Sequence, residues 1–300
     1  MNQTNKQGAL LAICAFILWG LAPAYFKLLE HVPSLDILMF RIVWSSALLA
    51  VIISVGKNWS KIAELLKDKK SMLILLVSSS FLAVNWWLFI WAVNNGHILE
   101  ASLGYYINPL LNVALGMIFL GERLSKLQYA AVGIAITGVL IQLFTFGSFP
   151  IIAFILAGTF ATYGLIRKTV SIDSVSGLTI ESFVMLIPGL VYWMFFASSP
   201  EANMLSNDMM TNFTIVMAGV VTTAPLLCFV AASRRLAYST LGFFQYIGPS
   251  IMFVMGVLYY GEQVGQDRLL TFIFIWAALA VFSLASYKNM RKQKLASQTS

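Results

Sequence analysis

Charge is scarce in this sequence: Asp, Glu, Lys and Arg make up 10% of its 300 residues, where a soluble domain carries roughly 25%. That excludes an ordinary water-filled setting. The sequence has only two histidines and two cysteines. Cys14 and Cys228 lie inside apolar runs with no Cys or His at ligand spacing, so they read as small packing residues and no metal site follows. His31 and His97 are far apart and have no HExxH or GxSxG context, which argues against an embedded enzyme. No GxxxxGK[ST] loop is present, which leaves no visible means of using ATP. No cofactor is implied.

What is abundant is apolar sequence, at 59% of residues. A spanning helix needs about 20 mainly apolar residues to cross a hydrocarbon core about 30 Å thick. On that template ten helices are expected, at 8–28, 34–56, 71–93, 98–120, 127–144, 149–166, 177–197, 213–232, 239–260 and 269–287. The runs are continuously apolar rather than alternating, which excludes a β-barrel. The first run is long for a secretory signal, although Ala22-Pro23-Ala24 loosely resembles a cleavage site, and only Lys6 precedes it. The chain therefore reads as an all-α polytopic membrane protein whose main partner is the lipid bilayer.

Two stretches read as copies. Leu103-Gly104-Tyr105-Tyr106, Pro109 and Gly121-Glu122 return as Leu241-Gly242-Phe243-Phe244, Pro249 and Gly261-Glu262, with eleven residues between proline and Gly-Glu in both. More weakly, Ala15-Phe16-Ile17-Leu18 with Gly20 and Tyr25 aligns with Ala153-Phe154-Ile155-Leu156, Gly158 and Tyr163. Five crossings per copy make the second enter from the opposite side, so two inverted five-helix repeats are expected, 1–144 and 145–287, followed by a basic tail at 288–300. With the N-terminus cytoplasmic, 16 of the 19 Lys and Arg residues fall on the inside, Arg167 and Lys168 among them. This bias fits the positive-inside rule and puts both termini in the cytoplasm. It also accounts for the net charge of +7 without a nucleic-acid partner. Residues 57–70 form a basic, partly helical cytoplasmic linker suited to a lipid surface, and the acidic loop around Glu201 and Asp208 is the longest external connection.

Ionisable residues inside the spans are costly and so informative. Arg41 lies in the outer third of the second span and Glu181 in the inner part of the seventh, at matched positions of the two copies. Either they bind polar substrate groups, with Glu181 able to take up a proton, or each is held structurally by a neighbour, Asp36 being a partner for Arg41. In the fourth span Ser102, Tyr105, Asn108, Asn112 and Gly116 form one stripe. It either lines an aqueous cavity or binds adjacent helices. Gly242, Gln245, Tyr246, Pro249 and Ser250 occupy the corresponding region of the ninth, and Pro109 and Pro249 suit a kink or a lining position. Asn85, Trp86, Trp87, Trp91 and Asn94 in the third span offer an aromatic wall or a lipid-facing one. Trp19, Tyr25 and Tyr163 are further candidates. Gly121-Glu122 and Gly261-Glu262 read mainly as helix-end punctuation, with gating as the alternative, and Ala131, Ala135 and Gly138 as a close helix contact within or between subunits.

Trp19-Gly20, the paired prolines and the paired Gly-Glu motifs resemble those of the drug/metabolite transporter superfamily, with its paired EamA-type domains. Within it, Ala22-Pro23-Ala24-Tyr25-Phe26-Lys27, Arg41, Asn85-Trp86, residues 100–109 and Phe244-Gln245-Tyr246-Ile247-Gly248-Pro249-Ser250 are similar to the RarD-like group, associated with chloramphenicol sensitivity. The resemblance covers nearly the whole chain and implies a bacterial inner-membrane permease with a central cavity between its halves, acting in export on a small molecule. A secondary carrier for metabolites or drugs is the leading reading, with a channel or scaffold subunit and, more remotely, a membrane-embedded enzyme as alternatives. Substrate, coupling ion and oligomeric state are left open by the sequence.

Overall fold

The computed structural model describes residues 3–296 apart from 198, 262 and 264, so Glu262 of the second Gly-Glu motif lies outside the described residues. The described residues hold ten helices long and apolar enough to cross a membrane. The first is α1 (Gln3–Phe26), extended by a short 3-10 turn to Leu29. It is followed by α2 (Ser34–Val55), a surface helix α3 (Trp59–Lys67), α4 (Lys69–Asn94), α5 (Ile98–Leu120), α6 (Lys126–Phe146), α7 (Ile151–Thr169), α8 (Ser174–Phe195) and α9 (Met209–Ser233). The ninth span is broken into α10 (Tyr238–Gln245) and α11 (Ile247–Leu258). The last, α12 (Gln266–Ala296), runs without interruption into the basic tail.

The helix ends follow local chemistry. Asp68 accepts hydrogen bonds from the Lys70 and Ser71 N–H groups, Asp173 from Ser176 and Asp208 from Thr211, and Ser125 with Gln128 forms a capping box. Gly121 (φ 62°) and Gly261 (φ 65°) take the left-handed conformation that ends a helix. Burial alone would raise the pKa of Asp173, but hydrogen bonds from Ser176 and Lys61 hold its carboxyl below the usual range. The Lys61 contact, at 3.3 Å, moors α3 to the start of α8. The break between α10 and α11 falls at Tyr246, beside Gly248 and Pro249. Pro249 has no N–H to give to the carbonyl of Gln245, whereas Pro109 is absorbed within an unbroken α5.

The two halves keep one register. Helices starting at Ser34, Lys69, Ile98 and Lys126 recur at Ser174, Met209, Tyr238 and Gln266, each 140 residues later. The helix packing obeys the same exchange. The first span packs on the eighth as the sixth does on the third, the second on the eighth as the seventh on the third, and the fourth on the sixth as the ninth on the first. The pairs second with seventh, fourth with ninth and fifth with tenth map onto themselves.

Small residues set the closest approaches. Ala131, Ala135 and Gly138 of α6 face α12, where Thr271 donates to the Gly138 carbonyl at 3.2 Å, so this stripe is a contact within the chain. At the crossing of α2 and α9 a methyl group added to Gly219 would lie 2.5 Å from the Trp44 carbonyl carbon and 2.6 Å from its oxygen. Neither backbone atom can move without parting the helices. Gly219→Ala is therefore expected to lower stability by about 1–3 kcal/mol, read as a drop in thermal midpoint of the detergent-purified protein. Gly133→Ala, with nothing near its added methyl, serves as the control and is expected to leave the midpoint unchanged or slightly higher.

Candidate functional site

Seven spans, the first four together with the sixth, eighth and ninth, enclose a cavity of about 400 Å³, within the range of about 300–1,000 Å³ typical of small-molecule sites. Its walls are built from residues 16–26 of α1, 34–41 of α2, 85–93 of α4 and 101–108 of α5, and from 245–252 at the α10–α11 break. Leu156, Ala157, Phe160, Thr222 and Leu226 supply its floor. The stretches of α1, α2, α4 and α5 run from helix middles toward the ends remote from the N-terminus and the tail, reaching the helix ends at Ser34 and Val93. Residues 245–252 and the floor residues Thr222 and Leu226 lie around and just beyond the middles of their helices. The chamber thus extends from about the middle of the bundle to the side remote from the termini.

Most of the lining is aromatic or aliphatic, and Arg41 is its one charged residue among those described. The Arg41 guanidinium lies 4.9 Å from the Trp86 ring centre and 5.3 Å from that of Phe26, a cation–π sandwich. Its Nε donates to Thr222 Oγ1 at 2.9 Å. Among the described residues no carboxylate lies within ion-pair distance of it. Asp36, expected as its partner, instead accepts a hydrogen bond from the Tyr192 hydroxyl at 2.8 Å. The reason is geometric: Asp36 and Arg41 are five residues apart on α2, so their side chains leave the helix on different faces.

Amides hold the floor in place. Asn85 Nδ2 donates to the Leu156 carbonyl (2.8 Å) and Thr159 Oγ1 (3.0 Å), and Asn108 Nδ2 to the Ala157 carbonyl (2.7 Å). Asn112 donates to Gln245 Oε1 at 2.7 Å, tying the fourth span to the break in the ninth. The polar stripe of α5 therefore divides: Tyr105 and Asn108 line the cavity, Asn112 binds a neighbouring helix, Gly116 lies against Glu122, and Ser102 bonds its own helix.

Below the floor the bundle is closed by polar locks. Glu181 is fully buried, accepting hydrogen bonds from the Ser78 hydroxyl and from Tyr163 (3.3 Å), with Arg167 Nε 3.6 Å away. Arg167, expected in a cytoplasmic loop, is itself 0% exposed because α7 continues past it to Thr169. Its Nη2 donates to the Asp173 carbonyl at 3.1 Å. A side chain at Gly177 would overlap its guanidinium, so that glycine makes the room. Glu122 receives the N–H groups of Tyr238 (2.5 Å) and Ser239 (2.9 Å) and the Ser239 hydroxyl (2.7 Å), which clamps the end of the fourth span to the start of the ninth. The Tyr238 hydroxyl bonds the Ala161 carbonyl at 2.6 Å.

Of the candidates read from sequence, Arg41, Asn85, Tyr105, Asn108 and Gln245 meet at the cavity. Glu181 and Tyr163 belong to the lock beneath it. Tyr25 donates to the Thr214 carbonyl and Tyr246 to the Tyr106 carbonyl, both as helix ties. Trp87, 55% exposed, points out of the bundle, and its neighbour Trp86 is the one that lines the chamber. Successive helical residues are turned about 100° from one another, so only one of the pair can face inward. Phe26, Phe160, Thr222 and the buried state of Arg167 were not anticipated. Arg167 lies four residues after Tyr163, on the same helix face.

Removing one partner of a buried ion pair strands the other. Glu181→Gln is expected to destabilise the protein by about 3–5 kcal/mol, and the double variant Arg167→Gln with Glu181→Gln by less. Thermal unfolding of both variants checks this; a double variant no more stable than Glu181→Gln would show that pairing is not what the carboxylate supplies.

The EamA-like transporter family matches residues 6–144, the first half of the chain. Over its length the chain is 50% identical to Protein RarD of Salmonella typhimurium, with 96% of this chain and 98% of that protein covered. It is 51% identical to a protein named as an uncharacterized transporter of Vibrio cholerae, at 96% and 95% coverage. A crystal structure 16% identical in sequence superposes with a TM-score of 0.71 over 92% of this chain and 97% of the other, a likeness of fold alone. Ten apolar helices, a half-bundle cavity and whole-length identity to these proteins lead to one assignment: the chain belongs to the RarD-like group of the EamA transporter family, multi-pass membrane transporters rather than enzymes.

Proposed function

We propose that the protein is a secondary carrier that exports small amphipathic molecules across the bacterial inner membrane by alternating access. Both termini lie in the cytoplasm on this reading, and the cavity described above is open to the outside. The two five-helix halves, divided near residue 144, are inverted repeats that rock about the cavity floor. One observation carries the reading: the chamber draws on both halves yet extends to one side of the floor only, while the other side is shut by the Glu122 clamp and the Glu181–Arg167 node. A pore would be open, or narrowed, along its whole length. A carrier stopped in one of its two states has this asymmetry.

The equivalence of the halves supports a reciprocal closed state, because helices that keep one register and exchange their packing partners can form the opposite closure from similar parts. Opening the terminal side requires the fourth and ninth spans to part where Glu122 holds the first turn of α10.

Two single-cysteine reporters test this in a background with Cys14 and Cys228 replaced by alanine. Ser34→Cys lies at the cavity edge and Ser233→Cys is buried on the closed side. A membrane-impermeant maleimide is expected to label the first from outside and to spare the second from inside. Glu122→Gln is expected to raise labelling of Ser233→Cys at least about threefold and to lower that of Ser34→Cys, since a neutral amide holds the N-terminal N–H groups less firmly. Reporters labelled together from both sides would identify a channel, and reporters unmoved by Glu122→Gln would remove the clamp from the cycle.

A further inference from the structure

We infer that the cavity is built for a ring-bearing organic anion, with Arg41 as the counter-charge of its carboxylate or equivalent acid group. The inference rests on the carrier reading and adds the charge of the cargo to it.

The first support is the state of Arg41. A guanidinium carries five N–H donors in a planar fork suited to gripping a carboxylate through two of them. Here one donor is used, on Thr222 Oγ1. Three acids of the described residues in the spans are engaged elsewhere: Asp36 by the Tyr192 hydroxyl, Glu100 by the Ile152 N–H at 2.8 Å, and Glu181 by Arg167 and Ser78. So among the described residues the chamber is given a cation and no anion.

The second support comes from comparing the halves. Arg41 and Glu181 are each the eighth residue of helices that begin 140 residues apart, at Ser34 and Ser174. On the closed side the ionised residue is buried with an opposite charge from its own chain, whereas on the open side the equivalent residue faces a cavity with none among the described residues. When the open side closes, water leaves Arg41, and a buried charge is tolerated only with a partner. A neutral cargo would leave the guanidinium stranded and a cationic one would be repelled. An anion completes outside what Glu181 and Arg167 complete inside.

The third support is the wall. Trp19, Phe89, Tyr105 and Phe160 stand around the same chamber, with little polar surface between them. Such walls favour a flat unsaturated body over a sugar or a flexible polyol.

The test uses matched probes: cinnamate, benzoate and indole-3-acetate, each beside its primary amide, titrated calorimetrically into the detergent-purified full chain. At least one acid is expected to bind, and to bind about tenfold or more tightly than its amide, since a charge-assisted bidentate contact is lost in the amide. Arg41→Gln is expected to erase that preference and Arg41→Lys to retain part of it, with the thermal midpoint of each variant confirming that it is folded. Amides that bind as well as acids, acids unaffected by Arg41→Gln, or a panel in which no acid binds would each overturn the anion assignment. The cysteine reporters move without any ligand, so exchange of labelling alongside a negative panel would sink the anion and leave the carrier standing. Reporters labelled together from both sides would instead sink the carrier.

Discussion

An ionised group inside a bilayer must find an opposite charge, a dense set of hydrogen bonds or water, because the hydrocarbon offers none of these. In this protein that requirement organises both halves of the bundle. Glu181 and Arg167 meet below the floor with Ser78 and Tyr163 around them, and Gly177 is small because the guanidinium occupies the space where its side chain would be. Arg41 is satisfied by the other means, a cavity wide enough to hold water, two aromatic faces and one hydroxyl. The closed side and the open side are two solutions to one electrostatic problem.

The same logic explains how the helices are joined. Among the described residues Glu122 pairs with no basic side chain; it takes the free N–H groups at the start of α10, where the helix dipole favours a negative charge. Asn108 and Asn112 bind a backbone carbonyl and a side-chain amide on other spans. These contacts use polar groups that a helix leaves unpaired or that a membrane cannot solvate. Each consists of one to three hydrogen bonds rather than a broad apolar interface, and such bonds between helices are individually weak. The fifth and tenth spans show the contrasting case, packed on each other through alanines and glycine, and the ninth adds a stacked ring pair against the tenth, Phe243 and Phe282, 3.8 Å apart between centres.

The architecture was legible in the sequence because it depends on sums. Twenty apolar residues in a row, repeated ten times with basic residues between, leave few alternatives, and Pro109 with Gly121 against Pro249 with Gly261 revealed the repeat. The site was only partly legible. Arg41 could be picked out because any charge in an apolar run stands out, but its true partner set depends on side-chain direction, which put Asp36 on another face. Trp86 and Trp87 are chemically identical, and only the rotation of α4 separates a cavity wall from a lipid-facing ring. Arg167 was hidden by its place near a helix end, where basic residues ordinarily meet water and where Glu181, fourteen positions further on, gave no local sign of reaching it.

The two equivalent charges also bear on why the halves have diverged in sequence while keeping their register. If both copies carried an internal ion pair, each side could close over an empty chamber and the bundle would have no electrostatic reason to wait for a cargo. On the carrier reading proposed above, with the pair retained on one side and on the other a cation held by two aromatic faces and one hydroxyl, closing the open side is uphill until something fills the cavity, while the closed side is stable without it. A strict repeat cannot make that distinction. One substitution at the eighth position of a duplicated helix, acid in one copy and base in the other, is sufficient to make it.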